Sequence, residues 1–176
     1  MLLLSAATLS SIEAQTIQQM KAGGPWTVRA AFKTDTVGMN GSKYNPADLL
    51  RQAYDATDKD LRNVSADKDG RIAGRKAGSK AERSEMAVYS FALTAEHFAK
   101  GDIEVFGQGR MSLWLDDKQI GIANSPNSKG DTTLRFSASL SLVPGTHHLL
   151  LKSLLLEGDT TATDVRVVLK PKTARD

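Results

Sequence analysis

The sequence predicts a mainly all-β protein, an antiparallel β-sandwich of jelly-roll type with eight or nine strands and one or two short helices. Two observations support this fold class. Apolar and polar residues alternate in short runs between residues 88 and 169, and Gly, Pro, Asp and Asn interrupt these runs about every ten residues. Strand patterns do not alternate with helix patterns along the chain, as they would in a protein with a parallel sheet.

Length and composition indicate a single domain with an ordinary polar surface. The chain has 176 residues, of which 40% are hydrophobic, enough for one well-buried core. Its 23 basic and 20 acidic residues are interspersed and leave a net charge of +3. This distribution differs from the clustered basic surface of a nucleic-acid-binding protein. The absence of cysteine excludes disulfides and thiolate metal sites.

The N-terminal residues resemble a secretory signal peptide. Residues 1–14 begin with an apolar run and end in small and polar residues, although no basic residue precedes the run. We therefore predict a signal peptide over 1–14 with a truncated N-terminal region, a linker over 15–25 and an exported product. The alternative is a short amphipathic helix that stays attached. The run is too short to cross a bilayer, so we predict no membrane span.

The domain is predicted to span residues 26–170. An alternating strand opens it at 26–33, and a short helix follows at 46–54, where Asn45 suits the N-cap and a proline follows it. Residues 55–83 are polar and predict a long excursion with little buried surface.

The second half of the chain carries the strand pattern. Its longest alternating run is 134–142, and Pro144 and Gly145 follow as a turn. Asp116 and Asp117 lie between two strands, where a tight hairpin needs residues that tolerate positive φ. Residues 171–176 are predicted to be a polar tail or the start of a linker.

Motifs for metal binding and catalysis are not found. Residues 67–70 resemble part of a calcium loop, but Lys76 occupies the position that should hold a bidentate glutamate, so a turn is favoured. His147 and His148 are adjacent in a predicted strand and therefore face opposite ways. We predict no metal site, no cofactor and no catalytic residue, and hence no enzyme.

Two residues are candidates for ligand binding. Trp114 lies on the strand face opposite Met111 and Leu113, and sugar-binding sandwiches often stack a surface aromatic on a pyranose ring. The alternative is that the chain or a neighbouring domain covers it. Arg135 begins a polar row on the longest strand, which is most simply a solvated sheet face.

Five segments together resemble the PA14 and galactose-binding-like jelly-roll modules. These are residues 26–28, 66–72, 88–91, 107–118 and 144–152. Such modules occur as accessory domains of exported bacterial hydrolases and of periplasmic proteins with propellers. Sugar-binding PA14 domains hold calcium with an acidic pair before the hairpin strand. The matching residues here are 107–110, which read Gly-Gln-Gly-Arg, so the resemblance implies that the calcium site is absent.

The resemblance implies a non-catalytic module of an exported bacterial protein, periplasmic or extracellular. We expect a structural or protein-interaction role, accessory to a larger hydrolase or propeller protein, with a neighbouring domain or subunit as partner. The alternative is a metal-independent carbohydrate-binding module that uses Trp114. A nucleic-acid partner is not expected, because the basic stretch at 71–83 lacks interleaved aromatic residues.

Overall fold

A computed structural model describes residues 28–34, 46–51, 62–65, 67, 71–72, 80, 84–127, 133–161 and 164–172. The predicted signal peptide, the linker, Trp26 and Asn45 lie outside these residues. Within them the chain forms one short helix, α1 (Pro46–Arg51), and ten strands. The strands are β1 (Val28–Thr34), β2 (Arg62–Val64), β3 (Arg71–Ile72), β4 (Glu85–Ala95), β5 (Ala99–Gly107), β6 (Arg110–Leu115), β7 (Lys118–Ala123), β8 (Leu134–Leu142), β9 (Gly145–Leu155) and β10 (Val165–Pro171).

The strands pair into two antiparallel sheets. One sheet has six strands in the order β2-β1-β4-β9-β6-β7, and the other has four in the order β3-β10-β5-β8. The eleven-residue strands β4 and β9 pair along their whole length, from Glu85 with Leu155 to Ala95 with Gly145. β5 is flanked by β8 and β10. Consecutive strands β8 and β9 belong to different sheets, so the chain crosses the sandwich between them.

The main core lies between the sheets and follows the two-residue period of the strands. Alternate residues of β4, β6 and β9 face alternate residues of β5, β8 and β10. The fully or nearly fully buried members of this cluster include Tyr89, Phe91, Leu93, Ile103, Val105, Met111, Leu113, Leu142, Leu149, Leu151 and Val167. Each such side chain contributes roughly 1.5–3 kcal/mol to folding through removal of apolar surface from water.

The outer face of the six-stranded sheet is also largely buried. Leu50 of α1 packs on Leu154, and Met86, Ile122 and Leu156 complete this smaller cluster. Polar residues of the same face, among them Ser112, are buried as well. The helix therefore turns part of an outer sheet face into a second, smaller core.

The predicted fold class is confirmed. Nine strands contain three or more residues, and the tenth, β3, contains two. Within residues 55–83, which we interpreted as an excursion with little buried surface, the described residues include β2 and β3 as edge strands of the two sheets, and Ile72 is buried in the core. Short edge strands carry few alternating residues, so the sequence pattern does not show them. In the described part of the chain, no helix could span a membrane.

Asp116 and Asp117 form the turn of the β6–β7 hairpin. Their φ angles are 46° and 66°, so both lie in the left-handed region that a two-residue hairpin turn of type I′ requires. The hairpin interpretation of these residues is thereby confirmed. Aspartate tolerates this conformation better than most residues because its short side chain can bond nearby backbone groups.

Candidate functional site

Trp114 lies on the outer face of the six-stranded sheet and is half-buried. Its indole N–H donates to the hydroxyl of Ser112 at 3.2 Å, and that hydroxyl donates to the carbonyl oxygen of Leu50 in α1 at 2.7 Å. These two bonds link the ring to the helix through a fully buried serine. The indole is therefore held in a fixed orientation, with its edge directed toward the helix-covered part of the face.

A buried lysine lies beside this tryptophan. The ammonium nitrogen of Lys152 is 5.5 Å from the centroid of the Trp114 ring, within the range of a cation–π contact. Lys152 is only 1% exposed, and burial lowers its pKa to about 8. This residue could have been recognised from the sequence, because it is the single charged residue in a mainly apolar run from 149 to 156.

Arg135 lies near one end of β8, in the four-stranded sheet. Its guanidinium donates to the carbonyl oxygen of Ser125, in the connection that follows β7, and burial lowers its pKa. The following row on the same face, Ser137, Ser139 and Ser141, is exposed. Ser139 donates to Asp102 at 2.7 Å, so this row belongs to a solvated, charge-paired sheet face.

The fold does not bring Trp114 and Arg135 together. Trp114 belongs to the six-stranded sheet and Arg135 to the four-stranded sheet, where it lies at a register shift between β5 and β8. A single ligand site built from both residues is therefore not formed within the domain. Trp114 has the surroundings of a possible stacking surface, whereas Arg135 bonds the protein's own backbone.

A small apolar surface lies at one end of the sandwich. Phe98 and Val143 are 49% and 58% exposed, and with Leu134 they are the large apolar side chains exposed in the described part of the chain. Ala99 pairs with Leu142, so Phe98 and Val143, which adjoin that pair, lie at the same end of the four-stranded sheet. We call Phe98 and Val143 the apolar tip. No local sequence pattern indicates the apolar tip, because its two residues are far apart in the chain.

The same end holds a histidine enclosed by two acceptors. His147 Nδ1 lies 2.6 Å from Asp116 Oδ2, and its Nε2 lies 2.7 Å from the carbonyl oxygen of Val143. The other carboxylate oxygen of Asp116 accepts the amide N–H of His148 at 2.8 Å. His147 is buried and His148 is exposed, which confirms that the two point to opposite faces.

These contacts shift both ionisable groups. The hydrogen bond with Asp116, followed by the one with the Val143 carbonyl, raises the pKa of His147 above its ordinary value. Partial burial pushes the pKa of Asp116 upward, but the bonds from His147 and from the His148 amide outweigh it and lower that pKa. Each group thus favours the charged form of the other.

The described residues do not form a metal site near Trp114 or near His147. Among the residues that the structure describes, no cluster of three or more His, Asp or Glu side chains could hold a metal ion. Where the resemblance places the missing calcium pair, the structure has the β5–β6 turn and Arg110, whose guanidinium forms an ion pair with Asp159. Asp159 also accepts the amide N–H of Leu156 at 2.9 Å. The ion pair joins the β5–β6 turn to the turn that follows β9, at the opposite end of the β6–β9 pair from Asp116.

Two solved structures show the same fold. The PA14 sugar-binding domain from an RTX adhesin matches with a TM-score of 0.50 and 11% identity, over 84% of this chain and 91% of that chain. A β-glucosidase from Kluyveromyces marxianus, solved in complex with glucose, matches with a TM-score of 0.51 and 10% identity. That match covers 82% of this chain and only 15% of the glucosidase chain.

No protein-family model matches the sequence, and no curated protein matches it significantly. The resemblance to PA14 and galactose-binding-like modules is confirmed at the level of the fold. The match to the PA14 sugar-binding domain covers most of both chains.

Proposed function

We propose that this chain is a non-catalytic accessory module of a larger exported bacterial protein, a hydrolase or a propeller protein, and that it contacts a neighbouring domain or subunit. One observation carries this proposal. The chain corresponds to nearly the whole of a PA14 domain but to 15% of a glucosidase, as expected for one self-contained module of a longer protein.

The apolar tip supports a contact surface at one end of the module. β10 ends at Pro171, and the next amide, that of Lys172, donates to the carbonyl oxygen of Lys100 at 3.0 Å. Lys172, the last described residue, is therefore bonded to a residue two positions from Phe98. A domain joined there would be tethered beside the two exposed apolar side chains, whose burial would favour docking.

Hydrogen exchange tests this surface. We expect slower amide exchange at residues 96–100 and 142–146 in the longer protein than in isolated residues 15–176. Substitution of both tip residues, Phe98→Ser with Val143→Ser, should abolish the difference, whereas Leu134→Ser should not, because Leu134 is exposed but lies on the opposite end of β8 from Leu142. Equal exchange in the two proteins would refute the docking surface.

Activity assays test the non-catalytic role. Purified residues 15–176 should not hydrolyse aryl glycosides, esters or peptides above a buffer blank. Turnover that is abolished by substitution of one Asp or Glu would overturn the proposal, since a contaminating hydrolase would not respond to that change.

A second candidate is a metal-independent carbohydrate-binding module. The observation that favours it is the fixed orientation of Trp114, because a half-buried indole with its N–H bonded internally can offer a ring surface at low entropic cost. A glycan array should then give a signal that Trp114→Ala removes and that Phe98→Ala, a change to an exposed aromatic elsewhere, leaves intact. No signal, or a signal unaffected by Trp114→Ala, would argue against this candidate.

A further inference from the structure

His147 is enclosed in a way that requires two ring protons. A neutral imidazole has one N–H donor and one bare nitrogen that accepts. Here a carboxylate oxygen faces Nδ1 at 2.6 Å and a carbonyl oxygen faces Nε2 at 2.7 Å, and neither oxygen can donate. Only the imidazolium, with an N–H at both nitrogens, satisfies both contacts.

We propose that His147, held as an imidazolium between Asp116 and Val143, is a pH-sensitive latch that fastens the β6–β7 turn to the β8–β9 connection. The contact between Asp116 and His147 joins groups 31 residues apart in the sequence, one in the turn at the edge of the six-stranded sheet and the other near the start of β9. Val143, the second acceptor, lies in the connection where the chain crosses between the sheets. The proton is the regulator, and no other ligand is needed.

Loss of the proton would open this end of the sandwich. A neutral His147 can donate to only one of its two acceptors, so the other would face a bare nitrogen lone pair at hydrogen-bond distance. If the Asp116 contact is lost, the turn loses its side-chain bond to His147 and keeps its two bonds to His148. If the Val143 contact is lost, the apolar tip loses the bond that fixes one of its two residues.

Few other charges bear on His147. Its partner on β4 is the apolar Leu93, and Thr146 precedes it. Other titratable groups near this end are all exposed, and they are Glu96, His97, Lys100, Asp117, Lys118 and His148. Asp116 is thus the charged group that directly contacts the buried ring.

The direction of the pH effect follows from the two shifted pKa values. His147 has a raised pKa, so its contribution to stability is complete below the unfolded value of about 6.5 and is lost as the pH rises through the folded value. Asp116 has a lowered pKa, so its contribution is complete above about 3.9 and is lost as the pH falls through the folded value. The latch is therefore closed between these limits, and it opens as the pH rises through the folded pKa of His147 or falls through the folded pKa of Asp116.

Nuclear magnetic resonance tests the latch in the wild-type chain without any substitution. Nitrogen-15 signals of the His147 ring should show both nitrogens protonated at pH 6, with a titration midpoint above 6.5. The exchange protection factor of the His148 amide, which donates to Asp116, should fall between pH 6 and pH 9. The protection factor should fall at most about tenfold if the folded pKa of His147 is one unit higher than the unfolded pKa, and about a hundredfold if it is two units higher.

Matched variants separate the latch from general loss of stability. His147→Gln and Asp116→Asn should each remove the pH dependence of that protection, and asparagine keeps the left-handed turn accessible. His148→Gln changes a neighbouring exposed histidine and should leave the dependence intact. The proposal is overturned if His147 carries a single ring proton at pH 6, if protection does not change with pH in the wild type, or if Asp116→Asn leaves the change intact.

Discussion

Gly107, at the end of β5, provides a sharp test of how this sandwich is packed. Its φ is 154°, a conformation that side chains rarely adopt, and an added Cβ would lie 2.1 Å from Met111 Cε and 2.8 Å from the carbonyl oxygen of Asp164. The carbonyl belongs to the backbone just before β10, which pairs with β5 at this point, so it cannot move freely. Met111 is fully buried in the core and has little room to rotate.

Gly145 offers a matched control. It has a similar φ of 135°, but no described atom lies within 4 Å of its added Cβ. Gly145→Ala should therefore cost only backbone strain, about 1–3 kcal/mol. Gly107→Ala should cost the same strain and in addition about 1–3 kcal/mol for overpacking.

Urea denaturation followed by circular dichroism measures both free energies of unfolding. The difference between the two variants corresponds to roughly 2–12 °C in melting temperature for a domain of this size. Equal stabilities of Gly107→Ala and Gly145→Ala would refute the reasoning, because they would show that the contact between β5, β6 and the start of β10 is not tightly packed.

Two further predictions concern the outer face of the six-stranded sheet. Ser112→Ala should cost about 1–3 kcal/mol in urea denaturation, because it leaves the Leu50 carbonyl and the Trp114 N–H without their buried partner. The exposed Ser141→Ala should stay within about 0.5 kcal/mol of wild type, and equal effects would contradict the bridging role of Ser112. Burial lowers the pKa of Lys152 from 10.5 to about 8, so between these pH values the unfolded chain binds more protons than the folded chain. This lysine should therefore make the free energy of unfolding rise with pH in that range. Lys152→Met should remove that rise in a pH series of thermal melts, and a slope equal to that of wild type would count against it.

Much of the strand pattern was predictable from the sequence because it is a local property. The alternation over 134–142 became β8 with the same bounds, and the two aspartates at 116 and 117 became the hairpin turn. The orientation of Trp114 opposite Met111 also follows from the two-residue period. The edge strands β2 and β3 were missed because three and two residues are too few to show that period.

The candidate site was predictable only in part. Trp114 could be placed on a face, but its links to Ser112 and through it to α1 depend on where the helix packs, which no local pattern encodes. Arg135 was a candidate because it begins a polar row, and its bond to the Ser125 carbonyl depends on the course of the preceding connection.

The sequence by itself determined the class of fold, the positions of the long strands and the face that each side chain takes within its strand, since backbone geometry and turn chemistry act over a few residues. Only the tertiary structure decided which strands are neighbours, that Trp114 and Arg135 lie on opposite sheets, that α1 packs on the face carrying Lys152, and that Asp116 meets His147 across 31 residues. The physical reason is that strand pairing and the covering of a sheet face are long-range contacts. Their partners are selected by the burial of the whole core and not by the residues beside them in the chain.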